Sequence, residues 1–444
     1  MPRSVDVLVI GGGAAGLSAA HALHAQGIAA VVLEGRPRLG GRIFTHREPG
    51  VALPIELGAE FVHGAVPDTL RIADDAGLLL CEVAGEWWRA VEGALHREPD
   101  VESIAGQVLG RLDPERTPDR SYEAFLREIL REDPSLAAAA QRATRYVEGF
   151  EGADPARVGE RWLALAVEAS RRDHQDRQFR FAAGYDGIVR ALAESIPADA
   201  VHLSTVVHEI EWHRGRVSAR AGTDCFEGRA AIVTVPLAVL AATPDGTPGP
   251  ITFRPELDGP TRRALAGLAM GSAARLVLGF GEPFWETLRS RDGGANADAL
   301  GFLSTDDPHF PIWWTTYPLR APLLTAWAGG PRAATLARLD PAALRDQALA
   351  ALSRAVGIPR SRIERLVRGA WSHDWEHDPL SRGAYSYGIV GGVGAPAVLN
   401  RPIDDTLFLA GEHTDPDGRT GTVHGAIASG RRAAEAVRRA LGAG

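Results

Sequence analysis

The chain contains no lysine, so all 48 of its basic residues are arginine. Any task that a lysine ammonium performs elsewhere falls here to a guanidinium, which is forked, bulkier and not readily deprotonated. Cysteine is almost absent. Cys81 and Cys225 are the only two, too few for a disulfide framework and without the CxxC spacing of a redox or zinc motif. No apolar run reaches the roughly eighteen residues of a membrane span. The N-terminus enters a strand-like run at once, unlike a secretory leader. These absences predict a cytoplasmic protein with no membrane attachment. A net charge of −8 and a pI of about 6.0 disfavour broad binding to nucleic acid and are compatible with a cationic substrate. With 444 residues, 45% hydrophobic and 23% charged, the chain can bury two or three domains' worth of core.

What is abundant is glycine, and its placement near the N-terminus carries the most information. Asp6-Val7-Leu8-Val9-Ile10 runs into Gly11-Gly12-Gly13-Ala14-Ala15-Gly16. A helical segment from Leu17 to Gln26 follows, then the strand-like Ala29–Leu33 and Glu34. Strand, glycine turn, helix, strand and acid in this order form a dinucleotide site. Gly11 permits the sharp turn, Gly13 lets backbone approach a pyrophosphate, and Gly16 lets the helix pack closely. The helix N-terminus, with Ala14 and Ala15, faces the phosphate charge. Glu34 stands where a carboxylate accepts both ribose hydroxyls. Gly35-Arg36-Pro37-Arg38-Leu39-Gly40-Gly41-Arg42 continues directly, bringing backbone and positive charge to the same phosphate.

Glutamate, arginine and Gly-Gly-Arg after the second strand resemble the signature of the FAD-containing amine oxidase superfamily. Four further blocks are collinear with it. Leu57-Gly58-Ala59-Glu60-Phe61-Val62-His63-Gly64 is similar to a polyamine oxidase pattern ending in Ile-His-Gly. Met270–Trp285 aligns with the strand that carries the family's oxygen-activating lysine, and Arg275 falls on that position. Trp375–Tyr387 and Leu407–Gly430 match the flavin-facing blocks of the polyamine oxidases and lysine-specific histone demethylases.

The resemblance implies site roles. Trp375 lies against the flavin, and Tyr385 walls the substrate nitrogen. Thr422 stands where monoamine oxidases place a second tyrosine, so the wall is one-sided. Gly58, Ala59, Glu60, Phe61, Val207, Gly411, Glu412, Val423 and Ala426 belong to the FAD site. His63 faces the substrate channel, where it could orient an amine or titrate near neutral pH. Ala384 replaces the flavin-linking cysteine, so FAD is expected to be noncovalent. His373-Asp374 and His377-Asp378 allow a metal reading that the flavin match explains better, and no metal is expected. His21 and His24 read as solvated helix-face residues.

The expected fold is α/β. A Rossmann-like FAD-binding domain is assembled from residues 1–64, 180–247 and 368–444. An inserted α+β substrate-binding domain takes residues 65–179 and 248–367. Residues 65 to 180 read as helical, with helices over Ser121–Arg131 and Arg157–Arg172 and a start at Asp154-Pro155. Further along, the pattern predicts strands at Val206–Ile210, Ala230–Val235 and Ala274–Phe280, a helix at Pro341–Val356 and a closing helix from near Thr422.

The resemblance implies oxidation of a primary or secondary, polyamine-like amine to an imine. Water hydrolyses the imine to aldehyde and amine, and O2 is reduced to hydrogen peroxide. Partners are then a small-molecule amine and O2, with no nucleic acid and no membrane. Two alternatives stand beside it. One is an amino-acid oxidase or a desaturase on the same fold, with Arg275 as the carboxylate's cation. The other is a low-turnover FAD-binding sensor, which the missing lysine would suit.

Overall fold

The computed structural model describes residues 3–98, 101–243, 246–291 and 296–442. Strand Arg3–Ile10 lies inside an eight-stranded sheet, paired in parallel with Ala30–Leu33 on one side and Asp224–Val233 on the other. Both of its faces are buried. Val7 and Val9 join one apolar cluster while Leu8 and Ile10 join another, the pattern of a sheet covered on both sides. Leu407–Leu409 adds in parallel to the far end of Asp224–Val233. The strands Arg216–Ala221, Glu209–His213 and Thr252–Arg254 extend this sheet at one edge, and Val201–His202 closes the other.

Helix Ala14–Ala25 follows the first strand and packs on the C-terminal helix Val423–Ala440. Small residues make that contact possible. A Cβ on Gly430 would lie 2.0 Å from the Ala15 carbonyl oxygen. The Ser18 hydroxyl donates to the Ile427 carbonyl at 2.8 Å.

A second sheet has seven strands, in the order Val367–Trp371, Ala273–Phe280, Leu323–Gly329, Ile312–Thr315, Leu300–Ser304, Glu86–Val91 and Ala94–Arg97. Its core holds the fully buried Trp88 and Trp313. The expectation that residues 65 to 180 are helical is corrected here. Leu80–Glu82, Glu86–Val91 and Ala94–Arg97 are strands. The last two form a hairpin, and its turn residues Glu92 and Gly93 have φ of 50° and 76°. Positive φ at both turn residues matches the right-handed twist of the flanking strands. The Trp87-Trp88 pair adds the aromatic bulk that suits a half-buried pleat.

Smaller differences are local. Asp154-Pro155 opens a turn closed by Arg157 and Val158 N–H on the Asp154 carbonyl, and the helix itself begins at Glu160. The strand after residue 206 begins only at Glu209. His21 and His24 are not merely solvated, since their rings bond the Ser195 hydroxyl at 2.7 Å and the Ala30 carbonyl at 3.0 Å.

Candidate active site

One cavity of about 810 Å3 runs from the ends of the parallel strands into the space bordered by the second sheet. With the exception of Gly16, each residue singled out above for a catalytic or cofactor role lines it. Gly16 sits behind the wall instead. A Cβ there would come 1.9 Å from the Gly11 carbonyl oxygen, so only glycine lets the helix close onto the turn.

At the strand end, Gly11 takes φ +108° and donates its N–H to the Leu33 carbonyl at 2.8 Å. The Gly12 N–H donates to Glu34 Oε2 at 2.6 Å, and the Arg36 N–H to Oε1 at 2.7 Å. Glu34 is buried, and burial raises its carboxyl pKa against these two N–H donors and the nearby arginines. Each oxygen keeps a lone pair for another donor. Space around Gly13 is open, with no atom within 4 Å of a built Cβ. No side chain caps the helix that Gly13 begins, so its first-turn N–H groups remain available to an anion.

The arginines of the next segment tie loops together. Arg36 holds Asp378 through two bonds of 2.7 and 2.8 Å and reaches Ser381 at 2.9 Å. Asp378, also bonded to His373, is thereby held well below the usual carboxylate range, although burial alone would raise it. Arg38 donates to the carbonyls of Leu39, Gly41 and Ile43. Arg42 bonds the Ala384 carbonyl at 2.6 Å and Glu412 at 2.9 Å. Gly35, Gly40 and Gly41 bring bare backbone to the cavity between these anchors. Val206 and Val207 supply an apolar wall beside Glu34 from an irregular segment.

Further in, Trp375 is fixed by its indole N–H on the Leu57 carbonyl at 2.8 Å, with Gly58 packed on its ring. Strand Leu407–Leu409 delivers Gly411 at φ +144° and then Glu412. Glu412 accepts from Ser386, Gly421 and Arg42. The Thr422 hydroxyl caps the C-terminal helix by accepting from the Gly425 N–H at 3.0 Å, and it donates to the Arg419 carbonyl. Val423 and Ala426 then place the start of that helix on the cavity. The Tyr385 hydroxyl donates to the Phe150 carbonyl at 2.9 Å, which fixes its ring.

Arg275 is buried, with one nitrogen donating to the Gly58 carbonyl at 2.8 Å and another paired to Glu60. Glu60 also accepts from Arg180 at 2.7 Å and from the Trp314 indole at 3.0 Å. Burial would raise the Glu60 carboxyl, but Arg275 and Arg180 hold it below its ordinary value. His63 packs edge-on against Phe150 at 5.1 Å, and its Nδ1 has no partner among the described residues. Desolvation lowers its pKa to about 4. The expected titration near neutral pH is therefore corrected, because His63 stays a neutral ring through that range.

Sequence reasoning missed Glu151. It lines the cavity next to the carbonyl that Tyr385 grips, and it accepts no hydrogen bond from a described residue. Desolvation pushes its carboxyl up to about 7. The Gly149-Phe150-Glu151-Gly152 segment has no pattern of its own in the sequence, and only its packing on the Tyr385 ring reveals it. Arg180 was missed for the same reason, since its partner lies far away in sequence.

The cavity thus combines a carboxylate, a glycine turn, two helix starts and a fixed aromatic wall, a set that fits a dinucleotide whose far ring meets a small substrate. Comparisons with known proteins agree. The flavin containing amine oxidoreductase family profile matches residues 14–438. Polyamine oxidase 3 of Oryza sativa subsp. japonica is 29% identical over 466 residues, covering 98% of this chain and 89% of that protein. Lysine-specific histone demethylase 1 homolog 2 of the same organism is 27% identical, with 98% of this chain and 57% of that protein covered. Among solved structures, cyclohexylamine oxidase from Brevibacterium oxydans IH-35A has a TM-score of 0.81 at 20% identity, with 99% of each chain covered. Putrescine oxidase bound to putrescine has a TM-score of 0.77 at 20% identity, covering 98% of this chain and 99% of that one. At that identity the two structures speak for the fold.

Proposed function

The chain belongs to the flavin-containing amine oxidoreductase family, and from that premise we propose that it oxidises a primary or secondary amine to an imine. Water then hydrolyses the imine to an aldehyde and a smaller amine, and O2 is reduced to hydrogen peroxide. Polyamines, named in the similar rice proteins, are the first substrates to assay. The enzyme is an amine-acting oxidoreductase whose cofactor is FAD, and the bound flavin supplies the two-electron acceptor. In this reading Glu34 holds the ribose, and the first turn of Ala14–Ala25 takes the pyrophosphate. The first turn of Val423–Ala440 faces the flavin ring. We further propose that residues 1–64, 180–247 and 368–444 make up the FAD-binding domain, with 65–179 and 248–367 binding substrate. The free thiols Cys81 and Cys225 support a reducing, cytoplasmic setting.

Glu151 is the observation that carries the reading. An amine arrives as an ammonium and must lose a proton before its α-carbon can be oxidised. A desolvated carboxylate titrating at about 7, with no protein donor to satisfy it, is placed to accept that proton. Tyr385 and Trp375, both held by backbone carbonyls, wall the amine and keep water out. An amino-acid oxidase would instead need a free cation beside the amine. Arg275 is anchored on Glu60, which it shares with Arg180, and on the Gly58 carbonyl, so its guanidinium is fixed in place rather than free to turn onto a substrate carboxylate.

The test is anaerobic flavin reduction by amines in the stopped flow. For the native enzyme the rate should rise with pH through about 7 as Glu151 ionises. Glu151→Gln should lower the rate by about tenfold or more and remove that rising limb, with FAD content near normal. A variant that keeps both rate and pH profile would remove Glu151 from the chemistry.

Noncovalent binding has its own check. Acid precipitation of the holoenzyme should release the yellow chromophore into the supernatant, since Ala384 offers no thiol for a flavin link. Colour retained in the pellet would contradict it.

A further inference from the structure

The cavity continues past Tyr385 into a passage walled by aromatic rings. Trp87 stacks on Phe302 at 4.6 Å and 14°, and Tyr146 stacks on Phe150 at 5.0 Å and 14°. Trp314 and Trp327 meet at 5.7 Å. These planar, preordered walls favour an apolar or aromatic body.

Arg142 and Arg145 line the cavity from helix Ala137–Gly149, about two turns and one turn before Phe150, and Arg89 lines it from strand Glu86–Val91, two residues beyond Trp87, so the three stand at the end of the passage away from Tyr385. The carboxylates they share are Glu98 and Asp306. Arg142 pairs with Glu98, which Arg89 also approaches at 4.0 Å. Arg145 pairs with Asp306, and Arg89 reaches the same carboxylate at 3.1 Å. Glu98 is further occupied by the Ser304 hydroxyl at 3.0 Å. Asp306 is 54% exposed at its side chain, whereas the three arginines are 15 to 23% exposed. Among the described residues, three guanidinium groups thus share two carboxylates, one of them largely in solvent, and these described side chains sum to a positive charge at this end of the passage.

We infer that the substrate bears its oxidised amine at one end and an anionic group at the other, with an apolar, aromatic-sized body between them. This rests on the amine-oxidation reading and narrows it. The arginines receive the anion, and the rings receive the body. Glu151 receives the amine. A polyamine would instead bring a second ammonium toward the arginines, where like charges repel. The anion is specified by its charge and its fit to a guanidinium fork, as a carboxylate is.

The holoenzyme can be tested with a series of para-substituted phenethylamines. Their second substituent would end in a carboxylate, the matching neutral carboxamide, or an ammonium, at several linker lengths. The read-out is kcat/KM for oxygen consumption together with anaerobic flavin reduction. At the best length, carboxylate should exceed carboxamide, and carboxamide should exceed ammonium, with about tenfold or more between the first and last. The carboxylate preference should shrink as salt is raised. Arg145→Gln and Arg89→Gln, made separately, should each lower the carboxylate-to-carboxamide ratio. The native series decides the matter even if a variant misfolds. Amines oxidised without a carboxylate preference, or an ammonium arm that is fastest, would overturn this inference and leave amine oxidation standing. If neither this series nor a panel of simple amines and polyamines reduces the flavin, the amine-oxidation reading falls and takes the inference with it.

Discussion

Glu60→Ala is expected to destabilise the protein by about 3–5 kcal/mol, because it leaves two buried guanidinium groups without a counter-ion. Glu60 is 9% exposed and Arg180 and Arg275 are 6% and 7% exposed, so water cannot replace the lost charge cheaply. The Trp314 indole loses its acceptor as well. The loss should appear as a fall of several degrees in the melting temperature of the holoenzyme. Arg275 should shift with it, since Glu60 and the Gly58 carbonyl are its anchors. Adding Arg275→Met to Glu60→Ala should recover part of the loss, because one uncompensated charge disappears. The two effects would then be non-additive. A melting temperature within a degree of native for Glu60→Ala would mean that the three residues do not form a charge cluster.

The second large effect concerns the cofactor. Glu34→Ala should raise the Kd for FAD about 10²- to 10⁴-fold. Two hydrogen bonds to a charged acceptor are lost, each worth about 1.5–3 kcal/mol. The same carboxylate holds the Gly12 and Arg36 N–H groups, so the glycine turn loses its internal support too. Titration of the apoprotein with FAD, followed by flavin fluorescence, measures the change. A Kd within about threefold of native would show that Glu34 does not carry the ribose.

Local signals were read directly from the residues. The run from Asp6 to Glu34 contains its own strand, turn, helix and strand, and each part is specified by neighbours in sequence. Helix Pro341–Val356 forms with the expected bounds, with the Asp340 side chain capping it on the Ala343 N–H at 2.8 Å. The closing helix likewise begins after its Thr422 cap. The hairpin of Glu86–Val91 and Ala94–Arg97 was also specified locally, by the Trp87-Trp88 pair and the Glu92-Gly93 turn. It was lost because the surrounding stretch is dominated by helices.

What the sequence alone determined is therefore the family, the nucleotide-binding topology and the glycines that the cofactor's approach requires. Those properties depend on short spacings and on backbone freedom, which neighbouring residues set. The protonation and partnership of the side chains were decided only by the tertiary structure. Glu60 meets Arg180 across 120 positions and Arg275 across 215. His63 is an ordinary imidazole in sequence and a neutral one in the fold, because packing removes its water. Glu151 looks like a solvated loop residue until desolvation moves it toward neutrality. The arginines at the end of the passage are scattered from Arg89 to Arg145 and share their carboxylates only after the second sheet has formed. Electrostatic character depends on burial and on distance through space, and neither quantity is present in the order of residues.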